Sequence, residues 1–162
     1  MPKVYLVQHA EAMSEERDPD RPLTTIGRQH AEQVTNLATK LGIEVQQIRH
    51  SGKTRAKQTA EILGDALSPA GGVLAVPGLG PVDDVKPVAE ILDKSRDPLM
   101  LVGHLPFMER LTGQLVTGDA DLPVVAFVNA GIVCLERQLE RWQVTWIVTP
   151  EIAALGEGDS KE

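Results

Sequence analysis

Three residues of this chain carry the side chains that phosphoryl chemistry needs, and each follows a segment that reads as a strand. His9 follows "VYLV", His104 follows "LMLVG", and Arg55 sits in "HSGKTRA", just after "EVQQIR". A neutral imidazole can attack phosphorus, and a second one can donate hydrogen bonds to the transferring oxygens. A guanidinium offers a planar, permanently charged fork suited to phosphate oxygens. A strand-to-helix junction adds outward-pointing backbone N–H groups, which also favour an anion. For either histidine to attack, one ring nitrogen must be free of its proton while a hydrogen bond holds the other. The sequence does not identify the group that makes that bond. Either histidine alone, at a strand end, is more often a packing residue. The joint placement of both with Arg55 makes the case.

The elements that must deliver these residues alternate between strand and helix. "KVYLV" reads as a buried strand, and a polar loop, "EAMSEERDPDRP", follows it. Val34, Leu37, Ala38 and Leu41 repeat at i, i+3, i+4, i+7, which predicts a helix from about Thr25 to Leu41. Thr24 or Thr25 can cap its start and Gly42 its end. "EVQQIRH" is a second strand, and "TRAKQTAEILGDAL" is a second helix with Ala56, Ala60, Leu63 and Leu67 on one face. "DDVKPVAEILDK" is a shorter helix, capped by Asp83 or Asp84, with Pro87 in its first turn. "PLMLVGH" is the most apolar strand. Pro106 opens a helix whose core face is Met108, Leu111 and Leu115. "GIVCLER" and "WQVTWIV" can pair as a hairpin, with Trp142 and Trp146 on one face. The last residues, "EGDSKE", read as a frayed tail.

This pattern predicts an α/β fold: a three-layer α/β/α sandwich around a central, mostly parallel sheet. It is expected to be one domain over 1–155, followed by an acidic tail over 156–162. In such sheets ligands bind beyond the carboxyl ends of the strands, where His9, Arg55 and His104 all fall.

Composition narrows the function. The formal net charge of the 162 residues is −7, which opposes nonspecific nucleic-acid binding and docking on an anionic membrane. A local basic cleft can still attract an anionic substrate. Cys134 is the only cysteine, so no intrachain disulfide forms and a reducing compartment fits. The first apolar run is too short for a signal peptide, and no stretch approaches a membrane span. The expectation is a cytoplasmic protein. The four histidines lack zinc-like spacing, so neither a metal nor any other cofactor is expected. His30 reads as a helix-surface residue and His50 as structural. Lys53 and Lys57 read as solvated charges at a helix start, either of which could add charge to the cleft.

"VQHAEA", "RPLTTIGRQHA", "HSGKTRAKQTAEIL" and "VGHLP" resemble, in matching order, the blocks of the histidine phosphatase superfamily, related to phosphoglycerate mutases. Within it they are most similar to the small SixA-type phosphohistidine phosphatases. The resemblance covers roughly the first 115 residues. It implies a covalent phosphohistidine intermediate on His9, phosphate binding by Arg55, and contact from His104 to the phosphoryl oxygens. It also implies Arg21, from "RPLT", at the pocket's edge.

Two departures stand out. The family's Arg-His-Gly is Gln8-His9-Ala10 here, so Gln8 occupies the place of a phosphate-binding arginine. Its amide can still donate hydrogen bonds, but without charge. A charged hydrogen bond is worth about 1.5–3 kcal/mol against about 1 for a neutral one, so the expected loss is one or two powers of ten. Gly52 replaces a proline usual at the helix start, and only a looser turn is expected from it. The region that supplies a general-acid glutamate in ester-cleaving relatives reads "AVPGLGPVDD" and has none. Glu11 and Asp83 are the possible substitutes. An imidazole leaving group needs that acid less than an alkoxide does. The resemblance therefore favours removal of phosphate from phosphohistidine on a signalling or phosphotransfer protein. A phosphohistidine-binding module with low turnover and a small general phosphomonoesterase are the alternatives.

Overall fold

The computed structural model describes residues 1–157. Along the chain come β1 (Lys3–Gln8), α1 (Thr25–Lys40), β2 (Gln47–His50), α2 (Thr54–Leu67), β3 (Val73–Ala75) and α3 (Lys86–Lys94). They are followed by β4 (Leu99–Gly103), α4 (Phe107–Thr117), β5 (Ile132–Gln138), β6 (Arg141–Val148) and α5 (Pro150–Glu157). The strands form one sheet in the order β3-β2-β4-β1-β5-β6. The first four run parallel, while β5 is antiparallel to β1 and β6 to β5.

Strand alternation divides the core in two. Val4 and Leu6 share one face with Leu99 and Leu101, against Val88 and Leu92 of α3 and Phe107 and Leu111 of α4. Tyr5 and Val7 share the other with Met100 and Val102, against Val34 of α1, Leu63 of α2 and Ala153 of α5. Every residue of β4 is buried, as a central parallel strand covered by helices on both faces must be. The three layers are those the sequence predicts.

Local chemistry sets the helix ends. Thr24 caps α1 by accepting from the Gly27 backbone N. A Cβ on Gly27 would come within 2.1 Å of the Glu11 carbonyl oxygen, so only glycine lets α1 approach the segment just after His9. The cap expected at Asp83 or Asp84 is not formed. Val85 precedes α3 with helical dihedrals and, among the described residues, no side-chain cap. Asp83 accepts from the Gly80 N–H and so holds the preceding loop, while Asp84 accepts from the N–H of Lys86, the first residue of α3, without standing at the cap position itself.

Two elements lack a clear sequence signal. β3 is three residues long, and α5 is a short helix whose last two residues, Gly156 and Glu157, lie in the predicted tail. The rest of that tail, 158–162, lies outside the described residues. The tryptophans do not share a face. Cys134 pairs with Trp146 but Leu135 pairs with Val144, so Thr145 is an extra residue in β6. A bulge of this kind reverses the alternation beyond it. Trp142 is consequently buried under α3 and α4, and Trp146 packs on Tyr5 on the opposite face.

Candidate active site

The carboxyl ends of β2, β4 and β1 lie side by side, and each feeds a polar residue into one place. His9 follows β1, and its N–H continues the ladder to the Gly103 carbonyl at 2.9 Å. His104 follows β4. The turn after β2 leads into α2, with Arg55 in its first turn. The His9 and His104 ring centroids stand 5.2 Å apart at 55°.

The group holding His9 is a backbone carbonyl. Its Nδ1 lies 2.7 Å from the Ala10 oxygen. A carbonyl can only accept, so Nδ1 carries the proton and Nε2 presents its lone pair. The Ala10 peptide is held in turn, since its N–H donates to Thr59 Oγ1 and Thr59 donates to the Arg55 carbonyl. Asn129 Nδ2 donates to the His9 carbonyl from the loop before β5. The nucleophile candidate is thus fixed by α2 on one side and by that loop on the other.

Arg21 arrives by a different device. The loop after His9 doubles back, with an isolated bridge between Ala12 and Leu23. Arg21 stands in its closing turn with φ of 49°, left-handed backbone that costs a non-glycine residue about 1–3 kcal/mol. Its Nε donates to the Met13 carbonyl at 3.0 Å. The Arg21 charge acts on both His9 and His104, as does that of Arg55. Arg55 Nε is buried and meets no hydrogen-bond partner among the described residues. Burial, and then the nearby Arg21 charge, press the Arg55 pKa down, while Glu15 opposes them. A guanidinium remains charged throughout the ordinary pH range.

Gln8 closes β1, paired with Gly103, one residue before each histidine. Its Oε1 is buried without a partner among the described residues. Of the two lysines, the Lys53 charge reaches His104 and that of Lys57 reaches His50. Of the substitute acids, Asp83 is tied to Gly80, and Glu11 is exposed and accepts from Thr24 Oγ1.

One reading changes at the turn after β2, and one residue joins the site. Gly52 has φ of +91°, which a proline ring cannot adopt. Its N–H donates to His50 Nδ1 at 3.0 Å, which proline also cannot do. The glycine therefore builds a different turn, not a looser one. Ser51, unmarked in the sequence reading, contacts His104 Nε2 at 2.6 Å. Thr59 was within reach of sequence reasoning through the "RAKQTA" block. Asn129 had no pattern to mark it.

Burial dominates the electrostatics. It lowers the His9 pKa to about 4, with the Ala10 bond opposing and Arg55 and Arg21 adding to the shift. It lowers His104 to about 3, with further lowering by Arg55, His9, Lys53 and Arg21. Both rings are neutral at pH 7. The unfolded chain protonates them near 6.5, so below that value it binds more protons than the folded chain. Stability then falls with pH until the folded values are passed. Expected on acidification from pH 7 toward 4 is a steady drop in Tm, shallower in His104→Gln. A Tm flat or rising across that window would contradict the burial described here.

Two neutral imidazoles beside an unsatisfied guanidinium suit an anion with several oxygens. The model of the histidine phosphatase superfamily (branch 1) matches residues 4–79. Phosphohistidine phosphatase SixA of Escherichia coli (strain K12) is 28% identical over 122 residues, 72% of this chain and 76% of that protein. The structure of the protein histidine phosphatase SixA complexed with tungstate superposes with a TM-score of 0.80 at 25% identity, covering 91% of this chain and 97% of that one. A structure from Agrobacterium tumefaciens assigned as SixA gives 0.74 at 27% identity, covering 92% and 98%.

Proposed function

The chain belongs to the histidine phosphatase superfamily, and from that premise we propose that it is a phosphohistidine phosphatase that takes phosphate from a histidine of another protein onto His9. The observation carrying this reading is the His9 ring, neutral, with its Nδ1 proton on the Ala10 carbonyl beside the Arg55 guanidinium.

In the first step Nε2 of His9 forms a bond to phosphorus, and the phosphorus–nitrogen bond of the substrate breaks. A substrate ring that already holds a proton on its other nitrogen leaves as neutral imidazole. His9, phosphorylated on Nε2 and protonated on Nδ1, carries a positive charge that the Ala10 carbonyl stabilises. In the second step water attacks phosphorus, His9 leaves as the neutral ring it began as, and phosphate departs with the water oxygen. Neither leaving group requires a new proton, which suits a site lacking the mid-chain glutamate. Arg55, Arg21 and His104 bind the phosphoryl oxygens, with Gln8 contributing a neutral donor.

The proposed partner is a phosphohistidine-bearing signalling or phosphotransfer protein, and the proposed setting is the cytoplasm, where the buried free thiol of Cys134 stays reduced. Among the described residues no helix is long and apolar enough to cross a membrane. A second reading, a binding module with low turnover, draws on Gln8, which removes a charge from the site.

The test compares hydrolysis of a phosphohistidine-bearing protein with that of p-nitrophenyl phosphate, each with and without a strong chelator. Expected is faster release from phosphohistidine, unchanged by chelation. Faster ester cleavage would favour a phosphomonoesterase. Phosphohistidine binding without release would favour the module. Loss on chelation, restored by a divalent ion, would overturn the mechanism.

A further inference from the structure

We propose that Ser51 is the positioning residue for His104: its hydroxyl donates to Nε2 and so holds the ring with its proton on Nδ1, the nitrogen left to hydrogen-bond the phosphoryl group. The inference rests on the phosphatase reading only for the phosphoryl group. The tautomer is a property of the free protein.

The contact is built by strand register. β2 and β4 run parallel with His50 opposite Val102. The next residues outward, Ser51 and then His104, therefore meet just beyond the sheet. Their separation of 2.6 Å is short for a hydroxyl and a ring nitrogen, and the histidine is only 2% exposed. A serine hydroxyl has one proton and two lone pairs. The backbone N–H of Lys53 already points at Ser51 Oγ, at 3.3 Å. That leaves the hydroxyl proton and one lone pair, so Ser51 can either donate to Nε2 or accept from it.

The other ring nitrogen decides between the two tautomers. Nδ1 of His104 is buried and has no hydrogen-bond partner among the described residues. If Nε2 donated to Ser51, Nδ1 would present a lone pair that repels bound phosphoryl oxygens. With Ser51 donating, Nδ1 presents an N–H, which those oxygens satisfy without any net charge on the ring. The bond to Nε2 also stabilises the unprotonated form of the ring, so it keeps His104 a neutral donor.

The experiment uses the full chain, Ser51→Ala and Ser51→Thr. Nitrogen NMR at pH 7 reads the His104 tautomer without substrate, and kcat/KM for a phosphohistidine-bearing protein is followed against pH. Expected in the natural protein is a protonated Nδ1 and an unprotonated Nε2. Ser51→Ala mixes the tautomers, lowers kcat/KM about tenfold by loss of one hydrogen bond, and moves the acid limb to higher pH. Ser51→Thr, which keeps the hydroxyl, restores tautomer and profile. A protonated Nε2 in the natural protein overturns the proposal. So does an alanine variant with unchanged tautomer and pH profile. If the tautomer responds as expected but the protein releases no phosphate, the positioning role stands and the phosphatase reading falls.

Discussion

His9→Ala is expected to lose turnover of protein phosphohistidine by at least about four orders of magnitude, as removal of a covalent nucleophile does in other hydrolases. No other group in the site can replace it. His104 has its Nε2 engaged by Ser51, and His50 has its Nδ1 engaged by the Gly52 N–H. Among the described residues, only His9 combines a ring oriented by a carbonyl on Nδ1 with a free lone pair on Nε2. The fold survives the change. What it leaves behind is one Ala10 carbonyl without its partner, a cost of about 1–3 kcal/mol at most. Rapid quenching under alkaline conditions, followed by mass spectrometry, locates the phosphoryl group. Phosphate found on His104 or His50 would reassign the nucleophile. An unchanged rate in His9→Ala would remove the covalent mechanism altogether.

Arg55→Ala gives the second large effect, and its signature is a split between activity and stability. The guanidinium can make two charged hydrogen bonds to a phosphoryl group, each worth about 1.5–3 kcal/mol. Its loss should therefore lower kcat/KM by roughly 10²–10⁴-fold. In the free protein, however, Arg55 Nε is buried without a partner among the described residues, and the Arg21 charge opposes it. Truncation relieves both, so Tm should hold or rise. Gln8→Ala should cost less activity than Arg55→Ala, because an amide carries no fixed charge. Gln8→Arg should raise phosphate affinity or kcat/KM about tenfold, with the gain shrinking in high salt. The measurements are phosphate-analogue affinity, turnover and Tm for the three variants at two salt concentrations. If Gln8→Ala proved as damaging as Arg55→Ala, or Gln8→Arg weakened binding, the glutamine amide would have a specific partner of its own.

Much of the scaffold was legible in the sequence because it rests on periodicity. The "TRAKQTAEILGDAL" block is α2 residue for residue, and the uniformly apolar "LMLVG" is the central strand. The convergence of His9, Arg55 and His104 was legible as well, since strand ends in a parallel sheet open on one edge, whereas Arg21, carried in on a loop, was marked only by the resemblance of "RPLT". What stayed hidden depends on geometry that no local pattern encodes. The contact between Ser51 and His104 comes from the register of two strands far apart in sequence. The separation of Trp142 from Trp146 comes from one extra residue in β6, which no strand period reveals. The cap position fell to Val85 because short acidic side chains satisfy a loop N–H as readily as a helix start: Asp83 turns back to Gly80, and Asp84 reaches the first helical N–H from one residue before the cap.

The turn at Gly52 bears on how this sequence can change. Proline in a loop ordinarily stabilises by restricting the unfolded chain, which makes a relative's proline an attractive graft. Here the graft fails twice over. It demands a backbone rotation from +91° to about −65°, and it deletes the N–H that His50 Nδ1 accepts. His50 is 4% exposed and would be left with an empty lone pair in the interior. Positions 50 and 52 are therefore coupled in this turn. In this chain, glycine at 52 can give way to proline only if His50 changes its own hydrogen bonding at the same time.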